Sequence, residues 1–155
     1  MSSKRDTADA LFEAPSAQQE FWHGMCDELP LMFGVIPFGL VFGVLGIESG
    51  LDPLQTILLS TILFGGASQV VFVQLWAVGI PALIVGSSVC VINIRHVLYS
   101  ASMASHLGHL SLRWRLLLGY LLTDEAYAVS IKRFTNGHAG PLKHFHLLGS
   151  GALLW

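Results

Sequence analysis

Four ionisable residues lie within stretches that are otherwise apolar enough to be buried in a lipid bilayer: Arg95, His96, Asp124 and Glu125. A charged side chain at the middle of a membrane helix costs at least ~2.5 to 3.5 kcal/mol on insertion scales, so it usually faces a bundle interior or an aqueous cavity. A guanidinium cannot lose its proton to escape this cost and needs a carboxylate, carbonyl groups or water. Asp124 or Glu125 could pair with Arg95, take up a proton or receive the ammonium group of a substrate. These residues therefore indicate recognition of a charged solute or proton transfer within a membrane.

The same residues also have a structural interpretation. Arg95 could lie near the end of its helix and extend its guanidinium to the membrane interface, and a carboxylate could form an ion pair that only holds helices together. Neighbouring positions on an α-helix point about 100 degrees apart. We therefore expect only one of Asp124 and Glu125 to face the site, and Tyr120 and Tyr127, which flank Asp124 on its helix face, favour Asp124.

Further polar residues accompany Arg95 in the run NIRHVLYSASM at 93–103. On a helix Asn93 and His96 share one face, while Arg95 and Tyr99 share the adjacent face. Two polar faces this deep in an apolar segment need partners inside the protein, which supports a site rather than a lipid-facing surface.

A second polar run, LFGGASQVVF at 63–72, interrupts an apolar segment. Two adjacent glycines permit non-helical backbone, and the side chains of Ser68 and Gln69 can bond to the backbone groups that a break sets free. A broken helix presents the positive N-terminus and the free N–H groups of its second half to an anionic group, as in many transporters. We predict non-helical backbone at 65–69; the alternative is a continuous helix with small residues at a crossing point.

Composition places the chain in the membrane class. Hydrophobic residues make up 53% and charged residues 12% of the 155 residues, whereas soluble domains carry roughly 25% charged residues. The formal charge of −2 and the lack of a long basic block exclude nucleic acid as a partner. The two cysteines, Cys26 and Cys90, suggest no disulfide framework, and the histidine pairs lack further ligands at a suitable spacing. We expect no metal, no cofactor and no enzyme chemistry, since no catalytic motif is present.

Four apolar segments and the start of a fifth can each form a membrane helix, which needs about 20 residues. They lie near 29–47, 54–76, 80–104, 112–131 and from 144 onward. We therefore predict an all-α integral membrane protein, a polytopic helical bundle of four to five transmembrane segments in residues 29–155, with a broken or re-entrant second segment. The last run is too short to complete a span before Trp155, so we expect the chain to be part of a longer protein.

Residues 1–28 are predicted to form a polar, largely disordered tail, because acidic residues interrupt the pattern of a signal peptide. The positive-inside rule places this tail in the cytoplasm. The basic residues that support this orientation are Lys4, Arg5, Lys132, Arg133 and Lys143. Arg113 and Arg115 then fall on the opposite side, a conflict that a split or re-entrant middle segment would resolve.

Glycines recur at spacings of four, three and four along the first span: Gly39, Gly43, Gly46 and Gly50. Small residues on one stripe let membrane helices approach closely. We interpret the stripe as a packing surface, with a pore-lining role as the alternative.

Four ordered motifs resemble the AzlC-type branched-chain amino acid permeases. They are GVIPFGLVFGVLG at 34–46, FGGASQVVF at 64–72, NIRHVLYSASM at 93–103 and LLTDEAYAV at 121–129. The resemblance covers about residues 20–155, which corresponds to the N-terminal two thirds of a typical member. It implies an inner-membrane exporter of branched-chain amino acids that works with a small hydrophobic subunit of the AzlD type.

The family motifs fall on the costly or helix-breaking residues identified above. The predicted substrate-binding residues are Gly65, Gly66, Ser68, Gln69, Asn93, Arg95, His96, Tyr99, Asp124 and Glu125. The substrate carboxylate is expected at the amides of 66–69 and the ammonium at Asp124, with Phe64, Val70 and Leu98 around the branched side chain. The rival hypothesis is a non-transporting membrane scaffold whose buried charges are structural ion pairs. An intramembrane enzyme that uses His96 and Asp124 is a more distant one.

Overall fold

The computed structural model describes residues 15–63, 65–135 and 141–155. This part of the chain is entirely helical and contains no β-strand. Its helices are α1 (Ala17–Glu48), α2 (Pro53–Ile62), α3 (Gly66–Ala77), α4 (Ala82–Leu107), α5 (Leu112–Tyr120), α6 (Asp124–Thr135) and α7 (His144–Leu154). The all-α class predicted from the sequence is confirmed for the described residues.

Helix α1 begins earlier than the sequence suggested. Ser16 and Gln19 form a capping box, in which the Ser16 hydroxyl accepts from the Gln19 N–H and the Gln19 side chain accepts from the Ser16 N–H. Residues 17–28, assigned above to the disordered tail, are helical because this cap starts the helix and because their inner face is buried. Residues 1–14 lie outside the described part, so the rest of that prediction is not addressed.

Helix α1 packs most extensively on α7, and two glycines make the contact possible. A Cβ atom at Gly24 would lie 2.0 Å from the His146 carbonyl oxygen, and one at Gly149 would lie 2.0 Å from the Phe21 carbonyl oxygen. Backbone therefore touches backbone, which any larger side chain would prevent.

Two ion pairs fasten the same face of α1. Arg133 Nη2 of α6 donates to Glu20 Oε1 at 2.8 Å, and His146 Nε2 of α7 lies 3.0 Å from Asp27 Oδ2. Their partners are more than a hundred residues apart in sequence, so these contacts position the start of α1 only once the whole chain has folded.

The predicted second segment, 54–76, is two helices rather than one. Helix α2 starts at a capping box formed by Asp52 and Gln55 and ends at Ile62, and α3 starts at Gly66. The interruption agrees with the expected broken segment, but the non-helical residues that the structure describes are Leu63 and Gly65, not 65–69, and Phe64 is outside the described residues. Ala67, Ser68 and Gln69 form the first turn of α3, because Gln69 N already donates to the Gly65 carbonyl at 3.1 Å.

The predicted fourth segment, 112–131, is also broken, which the sequence analysis did not expect. Helix α5 ends at Tyr120 and α6 begins at Asp124. The Thr123 hydroxyl accepts from the Ala126 N–H at 3.2 Å and caps the new helix. This break places Asp124 and Glu125 in the first turn of a helix instead of at its middle.

Two helices of the described chain, α1 and α4, are long and apolar enough to cross a membrane, judged by length and composition. Only 11% of the most apolar window in each is buried inside the structure. Phe33 of α1 and Leu83 of α4 are among the apolar side chains that point outward. Such an apolar exterior is what contact with lipid requires. The last predicted segment is an eleven-residue helix, α7.

The glycine stripe of α1 does not act as one surface. A Cβ atom at Gly46 would lie 2.6 Å from Thr56 Cγ2 of α2, whereas Gly39 and Gly43 have nothing within 4 Å. Gly50 has a φ of 83° in the turn after α1, a conformation that glycine adopts without strain. Close helix packing is therefore confined to Gly46.

Candidate functional site

Helices α3 and α6, which follow the two breaks, both begin beside one cavity of about 760 Å³. Gly66 and Ala67 at the start of α3 line it, as do Thr123, Asp124 and Glu125 around the start of α6. The N-termini of two half-helices thus meet the same space. Each brings the positive end of its dipole and N–H groups without an intrahelical partner.

An ion pair joins α4 to this cavity. Arg95 Nη1 lies 2.8 Å from Asp124 Oδ2, and each side chain is 29% exposed. Arg95 stands near the middle of α4, so the alternative of a guanidinium that extends from a helix end to the interface does not describe it. The pair leaves Arg95 Nε and Nη2 and Asp124 Oδ1 buried without a hydrogen-bond partner among the described residues. Donor and acceptor capacity therefore remain side by side.

Gly65 holds the space around the free edge of Arg95. A Cβ atom at this position would lie 3.0 Å from Arg95 Nη2, 3.1 Å from Asn93 Oδ1 and 3.1 Å from Ser68 Oγ. Asn93 Oδ1 also lacks a hydrogen-bond partner in the described chain. Four of the predicted site residues thus converge on one point at the N-terminus of α3, where a side chain at 65 would push the other three by a few tenths of an ångström.

The N-terminus of α3 is open to an anion. Gly65 provides no side-chain cap, and the first intrahelical bond comes from Gln69 N, which leaves the N–H groups of 66–68 without a partner in the helix. The predicted anion site at 66–69 is therefore limited to the N–H groups of 66–68, because the Gln69 N–H already donates to the Gly65 carbonyl. The Gln69 side chain instead donates to the Leu63 carbonyl, one of the groups freed at the end of α2.

Asp124 and Glu125 both line the cavity. Because α6 begins at Asp124, both residues lie in its first turn. The prediction that one of the two side chains faces the site stays a prediction. Asp124 is tied to Arg95, whereas no ion pair to Glu125 occurs among the described residues.

His96 and Tyr99 lie behind the cavity wall rather than in it. The Tyr99 ring stacks on Tyr127 with centroids 4.3 Å apart, and the His96 ring meets Tyr99 edge-on at 5.7 Å. Tyr99 is close enough to the Asp124 carboxylate to interact with it. Of these rings, Tyr99 interacts with Asp124, and neither Tyr99 nor His96 lines the cavity.

The apolar walls differ from those predicted. Leu98 is 66% exposed on the outer face of α4, Val70 does not line the cavity and Phe64 is outside the described residues. The apolar side chains that do line it come mainly from α1 and α2: Val35, Phe38, Phe42 and Ile57. Three of these four, Val35, Phe38 and Phe42, lie on α1 around Pro37. The sequence analysis considered only the glycines of this helix and did not predict that these side chains line a cavity.

Sequence reasoning also missed Thr123. The residues Thr123, Asp124 and Glu125 form a usual helix start, with a hydroxyl at the cap and acidic residues in the first turn. That signal was available, but the apolar residues on both sides favoured one continuous span.

A family comparison agrees with the four sequence motifs. The family model described as AzlC protein matches residues 30–155. The chain belongs to the AzlC family. The resemblance stated from the motifs is confirmed, and the matched range starts ten residues later than the motifs suggested.

Relatives of this AzlC-family chain are named as membrane proteins. Inner membrane protein YgaZ of Escherichia coli K12 is 31% identical over 119 residues, which cover 76% of this chain and 49% of the relative. An uncharacterized membrane protein of Archaeoglobus fulgidus is 31% identical over 122 residues, covering 75% and 51%. One from Helicobacter pylori is 28% identical over 115 residues, covering 71% and 50%. The chain spans about half the length of these relatives, and no solved structure matches it.

Proposed function

We propose that this AzlC-family chain transports branched-chain amino acids out of the cell across the inner membrane, as the large subunit of a two-component exporter. The observation that carries the proposal is the arrangement of unpartnered polar atoms beside the cavity. Asp124 and the start of α3 line the cavity, and Arg95, which pairs with Asp124 but does not line the cavity itself, brings the opposite charge and the unpartnered Nη2 next to it. An amino acid zwitterion has the complementary pair of charges.

The carboxylate of the substrate would bind at the N-terminus of α3. Free N–H groups and a helix dipole favour an anion there, and the guanidinium edge of Arg95 faces the same point beside Gly65. A carboxylate matches the planar fork of a guanidinium, which can donate two hydrogen bonds to it.

The ammonium group would bind at the start of α6. Asp124 keeps one oxygen without a hydrogen-bond partner in the described chain, and Glu125 lines the cavity next to it. Two carboxylates against one guanidinium leave an excess negative charge at this end of the site, which favours a cationic group on the ligand.

The side chain of the substrate would lie against α1 and α2. Val35, Phe38, Phe42 and Ile57 form an apolar wall opposite the charged one. Branched aliphatic side chains gain about 0.8 kcal/mol for each CH₂ group that such a wall removes from water. Valine, leucine and isoleucine therefore suit the cavity better than polar amino acids of the same size.

Two breaks at the site supply a means of opening and closing it. Transporters place substrates between discontinuous helices and move one part against the other around the bound substrate. A hydrophobic AzlD-like subunit would cover part of the apolar exterior of α1 or α4. The N-terminus would face the cytoplasm.

The scaffold hypothesis has one observation in its favour, namely the direct 2.8 Å pair between Arg95 and Asp124. A pair that only held helices together would have no need of unused donors and acceptors. The buried atoms left over on both residues therefore favour a binding role.

Efflux assays with isosteric variants of the two carboxylates test the proposal. We expect Asp124→Asn to stop leucine efflux from loaded cells, because it removes the partner of Arg95 and the acceptor for the ammonium group. Glu125→Gln should leave part of the efflux, since Asp124 remains. Glu48→Gln, on the exposed last turn of α1, is a matched control that should transport normally. Efflux by Asp124→Asn at the parent rate, with equal protein in the membrane, would contradict the proposed site.

A further inference from the structure

One buried carboxyl group is not explained by the features above. Glu28 of α1 is fully buried, with 0% of its surface exposed, and neither of its carboxyl oxygens has a hydrogen-bond partner among the described residues. Glu20, eight positions earlier on the same helix, is equally buried but accepts from Arg133 at 2.8 Å. The two carboxyl groups thus have the same burial and opposite electrostatic surroundings.

The helices packed against α1 provide no cation for Glu28. Helices α2 and α3 contain no titratable residue. The titratable residues of the other two helices in contact are Asp124, Glu125, Tyr127, Lys132 and Arg133 on α6 and His144 and His146 on α7. Arg133 is held by Glu20 and His146 by Asp27. Helix α6 packs against α1, and the titratable group on it that acts on Glu28 is the carboxyl group of Glu125.

Burial and a neighbouring carboxyl group both favour the protonated form of the Glu28 side chain. An isolated carboxylate away from water is so costly that the group takes up a proton instead. A second carboxylate nearby adds repulsion, and two such groups then share one proton. A metal ion would need six or more oxygen ligands for Ca²⁺ and a complete octahedron for Mg²⁺. The described residues offer no group of three or more His, Cys, Asp or Glu side chains that could hold such an ion.

We propose that Glu28, buried and without a hydrogen-bond partner among the described residues, holds a proton and forms a proton-binding site together with Glu125, which lines the cavity. This site links the buried carboxyl group of Glu28 on α1 to the cavity, because its other member, Glu125, lines the cavity. Occupation of the cavity by a cationic group at Glu125 cancels the repulsion that favours the protonated form of Glu28. The O–H bond of the Glu28 carboxyl group then breaks, its electron pair stays on the carboxylate, and the proton passes by way of Glu125 to water in the cavity, because Glu28 itself does not line the cavity.

This second step, the linkage between cation and proton, rests on the proposed function, since it takes the substrate ammonium group as the cation. Linkage is reciprocal: if the substrate weakens proton binding, protons weaken substrate binding by the same factor. A transporter with such a site exchanges its amino acid for a proton without any further charged group.

Infrared difference spectroscopy on the purified protein tests the proton site without any substrate. We expect the C=O stretch of a protonated carboxylic acid, shifted on transfer to D₂O, in the parent at neutral pH and its loss in Glu28→Gln. The glutamine has the size and neutral charge of the protonated acid, so the variant should keep the thermal midpoint of the parent. Glu20→Gln is the matched control and should retain the band, because Glu20 is equally buried but pairs with Arg133 at 2.8 Å. Absence of the band in the parent, or its persistence in Glu28→Gln, would overturn the proposal.

Calorimetric titration with leucine in two buffers of different protonation enthalpy tests the linkage. We expect proton release on binding to the parent and loss of that release in Glu28→Gln, which should still bind leucine. Binding to the parent without proton release would disprove the linkage and leave the proposed function intact. Absence of leucine binding would remove the proposed function and the linkage together, whereas the infrared band would still decide whether Glu28 carries a proton.

Discussion

Neutralising both members of the Arg95–Asp124 pair separates a binding site from a structural ion pair. Arg95→Gln and Asp124→Asn each remove one charge and leave the other at a position where 29% of the side chain is exposed. Removing one partner costs about 3–5 kcal/mol for a fully buried pair and the pair itself contributes about 0.2–1 kcal/mol at an exposed site. The intermediate exposure places the loss for each single variant at about 2 kcal/mol.

The double variant restores the balance of charge. Gln and Asn can hydrogen-bond to each other across the same gap, so we expect most of the stability lost in each single variant to return. For a chain of this size about 2 kcal/mol corresponds to roughly 4–8 °C in the thermal midpoint. Thermal denaturation of the four proteins in one detergent measures the coupling as a double-mutant cycle.

Efflux measured on the same four proteins gives the decisive comparison. The double variant should recover stability but not leucine efflux, because neither the guanidinium nor the carboxylate remains for the substrate. His96→Ala is a suitable comparison and should reduce efflux less than Arg95→Gln, because the His96 ring lies against Tyr99 outside the cavity wall, whereas Arg95 forms the ion pair with Asp124. If the double variant regains both stability and efflux, the pair is structural only and the proposed site is wrong.

Two further predictions concern the packing that forms the site. Gly46→Ala should destabilise the protein by about 1–3 kcal/mol, because its Cβ atom would lie 2.6 Å from Thr56 Cγ2. Gly43→Ala, with nothing within 4 Å, should be neutral or stabilising by up to about 1 kcal/mol. Equal thermal midpoints of the two variants would refute this prediction. Gln69→Ala should lower the thermal midpoint by the equivalent of about 1–3 kcal/mol, because the Leu63 carbonyl loses its donor, and an unchanged midpoint would show that water replaces the side chain.

The sequence predicted the parts of the site that follow from neighbouring residues alone, such as a charged side chain in an apolar segment or two adjacent glycines. A guanidinium in an apolar segment must have a partner, and Arg95 has Asp124. Adjacent glycines permit a helix break, and a break lies between α2 and α3. The exact position of that break depends on contacts between distant residues, since Gln69 binds the Leu63 carbonyl and Gly65 faces Arg95.

The start of α1 shows the converse limit. A polar composition predicted disorder for residues 17–28, yet their helix is fixed by contacts such as Arg133 with Glu20, 113 positions away. No local pattern contains that information. Glu28 escaped notice for the same reason, because its burial results from the packing of α1 on α6 and α7.

Equilibrium binding of labelled L-leucine to the purified protein tests the central claim, that the cavity at the start of α3 and α6 holds a branched-chain amino acid. The parent should bind saturably and prefer the L over the D enantiomer. Gly65→Ala should weaken binding by up to about tenfold, equivalent to about 1.4 kcal/mol, because its Cβ atom would lie 3.0 Å from Arg95 Nη2 and 3.1 Å from Asn93 Oδ1, so that both side chains must shift by a few tenths of an ångström. Gly86→Ala, on an open face of α4 with nothing within 4 Å, should bind like the parent. Absence of saturable binding by the parent, or undiminished binding by Gly65→Ala, would contradict the claim.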